Sequence, residues 1–223
     1  MAKKNNEAFT PAWYHQEAPQ KSYRSIFKWG SPTQFKAPNS KLYKLMKETF
    51  EMTDEDFKQG KEMGLEAVDF DLPGRLSEEQ LNALREIVGE DNVKTDNYSR
   101  LSVAYGKTMV DIMRLRKGIV ENLPDVVLYP RNREDIVKIV DFCCAQKIPV
   151  YVYGGGSSVT RGVEPVCGGV SLDMRPNFNK VIAFSEYNQT ITVEAGMSGP
   201  KLEETLNKAM ELFNAKRAYT CGH

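Results

Sequence analysis

The sequence predicts an α+β chain: a helical N-terminal region followed by a lobe built on a βαβ unit. Three observations predict it. Between Ser77 and Gly89, apolar residues recur at helical spacing inside clear start and stop signals. From Leu123 the character changes to short apolar runs bounded by Pro and Gly. Two of those runs flank a helical stretch long enough to serve as a crossover between parallel strands.

Residues 1–40 are rich in Lys, Asn, Gln, Pro and aromatics, with weak periodicity, and read as an extended arm. Trp13, Tyr14, Phe27 and Trp29 suggest that part of it lies on a surface. Residues 41–119 form the helical region. Asn39 is placed to cap a segment carrying Leu42, Leu45 and Met46, and Thr53 to cap Asp54–Lys58, whose acids suit a helix N-terminus. Ser77 and Gln80 form a capping box, Leu81, Leu84, Ile87 and Val88 form the apolar stripe, and Gly89 ends the helix. Lys107 to Lys117 reads as a further helix, with Met109, Ile112, Met113 and Arg116 at helical spacing.

Residues 120–223 form the lobe. Val126–Tyr129 is a short strand ended by Pro130. Asn132 can cap a helix to about Gln146, with Ile136, Val137, Val140, Cys143 and Cys144 on one face. Pro149–Tyr153 is the second strand, expected to run parallel to the first. Strands at Val170–Asp173, Val181–Phe184 and Thr190–Glu194 follow. Ser198 then caps a helix whose Leu202, Leu206, Ala209 and Phe213 face a core.

Thirty basic residues balance thirty acidic ones among 223, so no electrostatic case arises for nucleic acid or an anionic membrane as partner. No apolar run reaches the roughly 18 residues of a membrane span. Met1 to Glu17 has no apolar stretch of the signal-peptide kind. Cys143, Cys144, Cys167 and Cys221 show no zinc spacing, so no metal site is predicted, and reduced thiols in a cytoplasmic protein are the simplest reading. A small-molecule substrate is the expected partner, and a homodimer is open.

One loop carries chemistry. The second strand runs into Tyr153-Gly154-Gly155-Gly156-Ser157-Ser158-Val159. Consecutive glycines cost backbone entropy, and they let a ligand approach the main chain more closely than a Cβ allows. They can also turn successive N–H groups toward one anion, with the serine hydroxyls as neutral donors beside them. A pyrophosphate suits such a nest. A Walker A loop would end in Gly-Lys-Ser/Thr, and no lysine is present. A dinucleotide fingerprint would place glycine where Val159 stands, with a helix directly after, whereas Thr160-Arg161-Gly162-Val163-Glu164-Pro165 reads as loop. On the loop alone, a flexible connection between strands stays open beside the phosphate reading.

The surroundings of the loop carry a resemblance. Pro124-Asp125-Val126-Val127-Leu128-Tyr129-Pro130, Asp135-Ile136-Val137-Lys138-Ile139-Val140, Ile148-Pro149-Val150 with the glycine loop, Gly169-Val170-Ser171-Leu172-Asp173-Met174 and Thr192-Val193-Glu194-Ala195-Gly196 together resemble the FAD-linked oxidases of the vanillyl-alcohol oxidase (PCMH-type) superfamily. Within it, Tyr105-Gly106-Lys107-Thr108, Leu115-Arg116-Lys117-Gly118, Tyr219-Thr220-Cys221-Gly222-His223 and Lys28-Trp29-Gly30 are similar to the alkyldihydroxyacetonephosphate synthase branch. Ser77–Val88 with Gly89 and Asn92-Val93 instead resembles bacterial D-lactate and glycolate oxidase subunits.

The resemblance implies a flavoprotein in which Tyr153, Gly154, Gly155, Gly156, Ser157, Ser158 and Val159 wrap the FAD pyrophosphate. Relatives with covalent flavin can carry histidine where Ser157 stands, so FAD is expected to be non-covalent at this loop. The implied activity is FAD-dependent oxidoreduction of a hydroxy acid or alcohol. The alternatives are a flavin-dependent transferase of ether-lipid synthesis and a non-catalytic binding module. The family's next flavin-contacting segment and its substrate-binding cap are expected beyond His223, as are the catalytic residues. The chain is therefore expected to be an N-terminal fragment, inactive alone.

The remaining candidates have plainer readings. His15 is expected in solvent, and His223 lies either near the flavin or at a frayed end. Arg114 and Arg116 either meet an anionic substrate or sit on a solvated helix face. Cys143 and Cys144 are expected to pack in the core. Asp173 and Glu194 end strands and are expected to make local backbone bonds.

Overall fold

A computed structural model describes residues 18–26, 38–58 and 64–221. Trp13, Tyr14, His15, Phe27, Lys28-Trp29-Gly30, Gly222 and His223 lie outside the described residues. The chain is α+β, with a helical N-terminal region and a lobe of mixed strands. It divides into two compact units, residues 1–68 with 109–119, and residues 69–108 with 120–223.

In the first unit, α1 (Tyr23–Ile26) is held by Arg24 N donating to Gly64 O at 2.8 Å. Asn39 caps α2 (Ser40–Phe50), its side chain accepting from Leu42 N at 2.9 Å. Leu42 and Leu45 are nevertheless exposed. Thr53 donates through N and Oγ1 to Asp56 at the start of α3 (Asp54–Lys58), and Tyr43 packs on Phe57 at 4.4 Å between ring centroids. The helix expected over Lys107–Lys117 is α6 (Met109–Arg116). Its inward face is Asp111, Ile112, Arg114 and Leu115, whereas Met109 and Met113 are exposed. The apolar spacing pointed to the wrong stripe because a buried ion pair shares the inner face.

In the second unit, α4 (Glu78–Val88) starts at the predicted Ser77–Gln80 capping box, and Gly89 closes it by donating to Arg85 O. It buries Leu81, Leu84 and Val88 against a four-stranded sheet ordered β1-β2-β4-β3. β1 (Val93–Lys94) and α5 (Asn97–Ser102) carried no sequence expectation. β2 (Val126–Leu128), β3 (Val150–Tyr153) and β4 (Val170–Asp173) are parallel. β2 and β3 have the parallel sense expected of them, but β4 lies between them, in register with both at Val170. The crossover α7 (Arg133–Gln146) packs Ile139 and Cys143 beside α4. Val137, Val140 and Cys144 are exposed, so the face read from the sequence is rotated from the true one.

β5 (Val181–Ser185) and β6 (Thr190–Val193) form a separate antiparallel pair. The single helix expected after Ser198 is two pieces, α8 (Gly199–Asn207) and α9 (Ala209–Leu212), with a break at Lys208. Leu206 and Ala209 are buried, and Phe213 stacks on Phe184 at 4.7 Å. Among the described residues, no helix is long and apolar enough to cross a membrane.

Candidate functional site

Three parallel strands end at one edge of the sheet. Tyr129 follows β2, Tyr153 ends β3 and Asp173 ends β4, with Arg175 two residues on. The carboxyl ends of parallel strands are where open sheets bind ligands, because connections diverge there and leave a crevice. Asp173 is buried and grips Arg175 twice, Nε to Oδ1 at 2.9 Å and Nη2 to Oδ2 at 2.6 Å, and also accepts from Arg175 N. The Arg175 guanidinium lies 4.7 Å from the Tyr153 ring centroid, a cation–π arrangement that fixes the buried ring from above.

The loop leaves β3 directly. Tyr153 and Gly156 are buried, Gly154 and Ser158 half-buried, and Gly155, Ser157 and Val159 exposed. Among the described residues, none of the N–H groups from Gly154 to Val159 donates to a protein acceptor. A run of unpaired donors at a sheet edge needs water or a ligand. Gly156 has φ +61°, the left-handed conformation from which anion nests are built, and its α-carbon rests against the Tyr153 hydroxyl, where a Cβ would collide. Gly155 has no atom within 4 Å of where its Cβ would stand, so its outer side is open. Gly154 faces Ala195 O, which a Cβ would meet at 2.9 Å.

The far half of the loop is staked down. Ser158 O accepts from Lys107 N at 2.7 Å, and Ser158 Oγ accepts from Gly162 N at 3.1 Å. Glu164, buried, pairs with Arg161 at 2.7 Å and accepts from Asn122 Nδ2 at 2.8 Å. The arrangement is therefore a held loop with free donors, unlike a slack connection. The Cβ-free approach at Gly155, the unpaired N–H groups and the neighbouring serine hydroxyls fit a diphosphate.

The arginines beside the loop are paired with buried carboxylates, Arg161 with Glu164 and Arg175 with Asp173. Burial lowers the Lys107 ammonium from its ordinary range, and the like charge of Arg175 lowers it further. Burial raises the Tyr153 phenol, with Arg175 opposing and Asp173 assisting. Burial likewise raises Tyr129, again with Asp173 assisting. Lys107, Tyr129 and Arg175 were not read as site residues from the sequence. A positive charge two residues past a strand-end Asp was the one available signal for Arg175.

Other expectations resolve elsewhere. Arg114 fits neither reading offered for it: it is buried and paired with Asp111 at 3.2 Å, while Arg116 is exposed. Glu194 accepts from Lys180 N at 2.8 Å, a local backbone bond. Cys143 is buried as expected, but Cys144 is exposed.

Residues 124–221 match the sequence profile of a family described as FAD binding domain. The chain is 31% identical over 179 residues to an alkyldihydroxyacetonephosphate synthase of Trypanosoma brucei brucei, covering 77% of this chain and 29% of that protein. It is 36% identical over 92 residues to a mitochondrial D-lactate dehydrogenase [cytochrome] of Kluyveromyces lactis, covering 40% of this chain and 16% of that protein. A solved alkyldihydroxyacetonephosphate synthase superposes on 61% of this chain with a TM-score of 0.57 and 31% identity, over 28% of its own length. The chain thus spans less than a third of the length of these relatives.

Proposed function

Residues 124–221 belong to the vanillyl-alcohol oxidase (PCMH-type) FAD-binding superfamily, and from that premise we propose that Tyr153–Val159 is the cradle for the FAD diphosphate. The observation that carries the reading is the row of unpaired N–H groups from Gly154 to Val159 at the carboxyl edge of the parallel sheet. The lobe is taken as residues 120–223. When bound, the isoalloxazine supplies the redox chemistry of such enzymes. This chain's own residues bind and orient: the backbone donors meet phosphate oxygens, Ser157 and Ser158 add hydroxyl donors, and Tyr153 and Arg175 hold the loop's first half. Ser157 offers no imidazole for a covalent flavin bond.

For the whole protein we propose flavin-dependent oxidoreduction of a hydroxy acid or alcohol. The second reading, a transferase like alkyldihydroxyacetonephosphate synthase, is favoured by extent: the synthase match runs over 179 residues, against 134 and 92 for two D-lactate dehydrogenases. An acyl-to-alkyl exchange assay set against oxidation of D-lactate, on a protein carrying the full length its relatives have, separates the two. Alone, this chain is expected to turn over neither, because it spans 29% of the synthase and 16% of the dehydrogenase that it matches, and a substrate must be positioned against the flavin ring for turnover.

The cradle itself is tested by Gly155→Val. The substituted side chain points into open space, so the fold is kept while the phosphate is blocked. FAD titrated into the chain up to millimolar concentration, followed by flavin fluorescence, is expected to show binding that the variant loses at unchanged melting temperature. A variant that binds FAD as well as the parent removes the loop from the site.

A further inference from the structure

We infer that the Tyr153 hydroxyl is a direct ligand of the anion held by the glycine loop, donating a hydrogen bond to a phosphate oxygen beside Gly156. The inference rests on the reading of Tyr153–Val159 as a diphosphate cradle, and it adds to the backbone N–H groups and serine hydroxyls a donor that comes from inside the fold.

The chain places this hydroxyl at the loop and holds it there. Tyr153 ends β3 and is still part of the sheet: its O accepts from Met174 N at 2.9 Å, and it stands in register with Asp173. Its side chain packs with Val103 and Val127, and the residue is only 6% exposed. Arg175 covers the ring at 4.7 Å from its centroid, and Asp173 grips Arg175 twice, so the ring is clamped from above. The tip of the ring meets the loop. The hydroxyl fills the place that a Cβ on Gly156 would take, three residues further along the chain.

The hydroxyl is also unpartnered. Among the described residues it makes no hydrogen bond. A buried phenol ordinarily finds a partner, and two other tyrosines of the lobe do: Tyr105 accepts from Glu121 N and Tyr219 donates to Glu186, each at 3.0 Å. Burial raises the Tyr153 phenol, with Arg175 opposing and Asp173 assisting, so at neutral pH the group keeps its proton and can donate it. The N–H groups of Gly154–Val159 beside it lack protein acceptors as well. A phosphate oxygen accepts from both kinds of donor, and its charge strengthens each bond. The Arg175 guanidinium is already paired with Asp173, which leaves the phenol as the group free to bind.

The test is calorimetric titration of the chain with inorganic pyrophosphate, for the parent, Tyr153→Phe and Gly155→Val, each with its melting temperature. Tyr153→Phe removes one oxygen and keeps the ring under Arg175. Loss of one hydrogen bond to a charged acceptor is expected to weaken binding by about tenfold or more, at an unchanged melting temperature. The ultraviolet difference spectrum of the parent gives a second measure that does not depend on how well a variant folds. A phenol that begins to donate to an anion shifts its absorbance to the red, so a difference band is expected when pyrophosphate binds, and it is expected to be missing in Tyr153→Phe. Binding by the parent without that band overturns the inference. If Tyr153→Phe binds within about twofold of the parent while Gly155→Val loses binding, the hydroxyl is no ligand and the cradle stands. If the parent binds no pyrophosphate, the cradle reading fails and the role of the hydroxyl fails with it.

Discussion

Gly155 and Gly156 are neighbours with opposite demands. Gly155 faces open space and has a backbone conformation open to other residues, whereas Gly156 has φ +61° and the Tyr153 hydroxyl against it. Gly155→Ala is therefore expected to leave thermal stability unchanged or slightly raised. Gly156→Ala is expected to cost about 1–2 kcal/mol from the left-handed conformation alone, and more because Tyr153 must move. Denaturant melts of the two variants check this, and equal effects would contradict the loop geometry. The thiols make a similar contrast. Burial pushes Cys143 up to about 11, while Cys144 and Cys167 are exposed. Mass spectrometry after brief alkylation at about pH 8 is expected to find Cys144 and Cys167 modified and Cys143 protected until the chain unfolds. An adjacent cysteine pair in a helix reads as core from composition, but neighbouring positions on a helix point about 100° apart, so only one of them faced inward.

At the scale of elements, α7 shows how one carboxylate joins three parts of the lobe. Asn132 caps the helix by accepting from Asp135 N at 2.9 Å. The buried Asp135 carboxylate accepts from Arg131 N at 2.9 Å, Nε at 2.8 Å and Nη2 at 3.0 Å. Arg131 Nη2 also donates to Ile87 O at 2.7 Å, which ties α7 to α4. The Arg131 bonds hold the Asp135 carboxyl below its ordinary value of 3.8, with burial opposing. Because the folded value is the lower one, this stabilisation is present above about pH 4 and is lost as pH falls through the folded value. Asp135→Asn is expected to cost about 2 kcal/mol at neutral pH, the scale of charge-assisted hydrogen bonds. The gap between variant and parent in urea melts should shrink on acidification. A gap independent of pH would show that the carboxylate charge is not its source. The caps of α4 and α7 were legible because a cap is a bond spanning three residues. The faces of α6 and α7 were not, because buried Asp111, Arg114 and Asp135 occupy inner positions that an apolar pattern skips.

At the scale of the whole molecule, affinity for FAD follows from how much of the site one lobe can build. The cradle offers about three or four hydrogen bonds to a diphosphate, each worth on the order of 1 kcal/mol net and more when charge-assisted. Immobilising a large flexible ligand costs several kcal/mol. The chain spans only 29% of the synthase it matches, so it holds at most part of the enclosure that a whole relative can give the adenine and flavin rings. High-micromolar to millimolar affinity is therefore expected in calorimetric titration. A dissociation constant below about 1 µM, roughly −8 kcal/mol, would show that this lobe suffices. The sequence by itself determined the α+β class, the caps at Ser77 and Asn132, five of the six strands among the described residues and the place of the glycine loop after β3. Each of these rests on a few consecutive residues, through backbone φ, side-chain size or a short-range bond. Only the tertiary structure decided that β4 enters between β2 and β3, which face of α6 and α7 turns inward, and that the Lys107 backbone N–H and the Arg175 guanidinium meet opposite ends of one loop. Those outcomes depend on packing between segments far apart in the chain, where burial of charge pairs and sheet order choose among arrangements that local chemistry leaves equal.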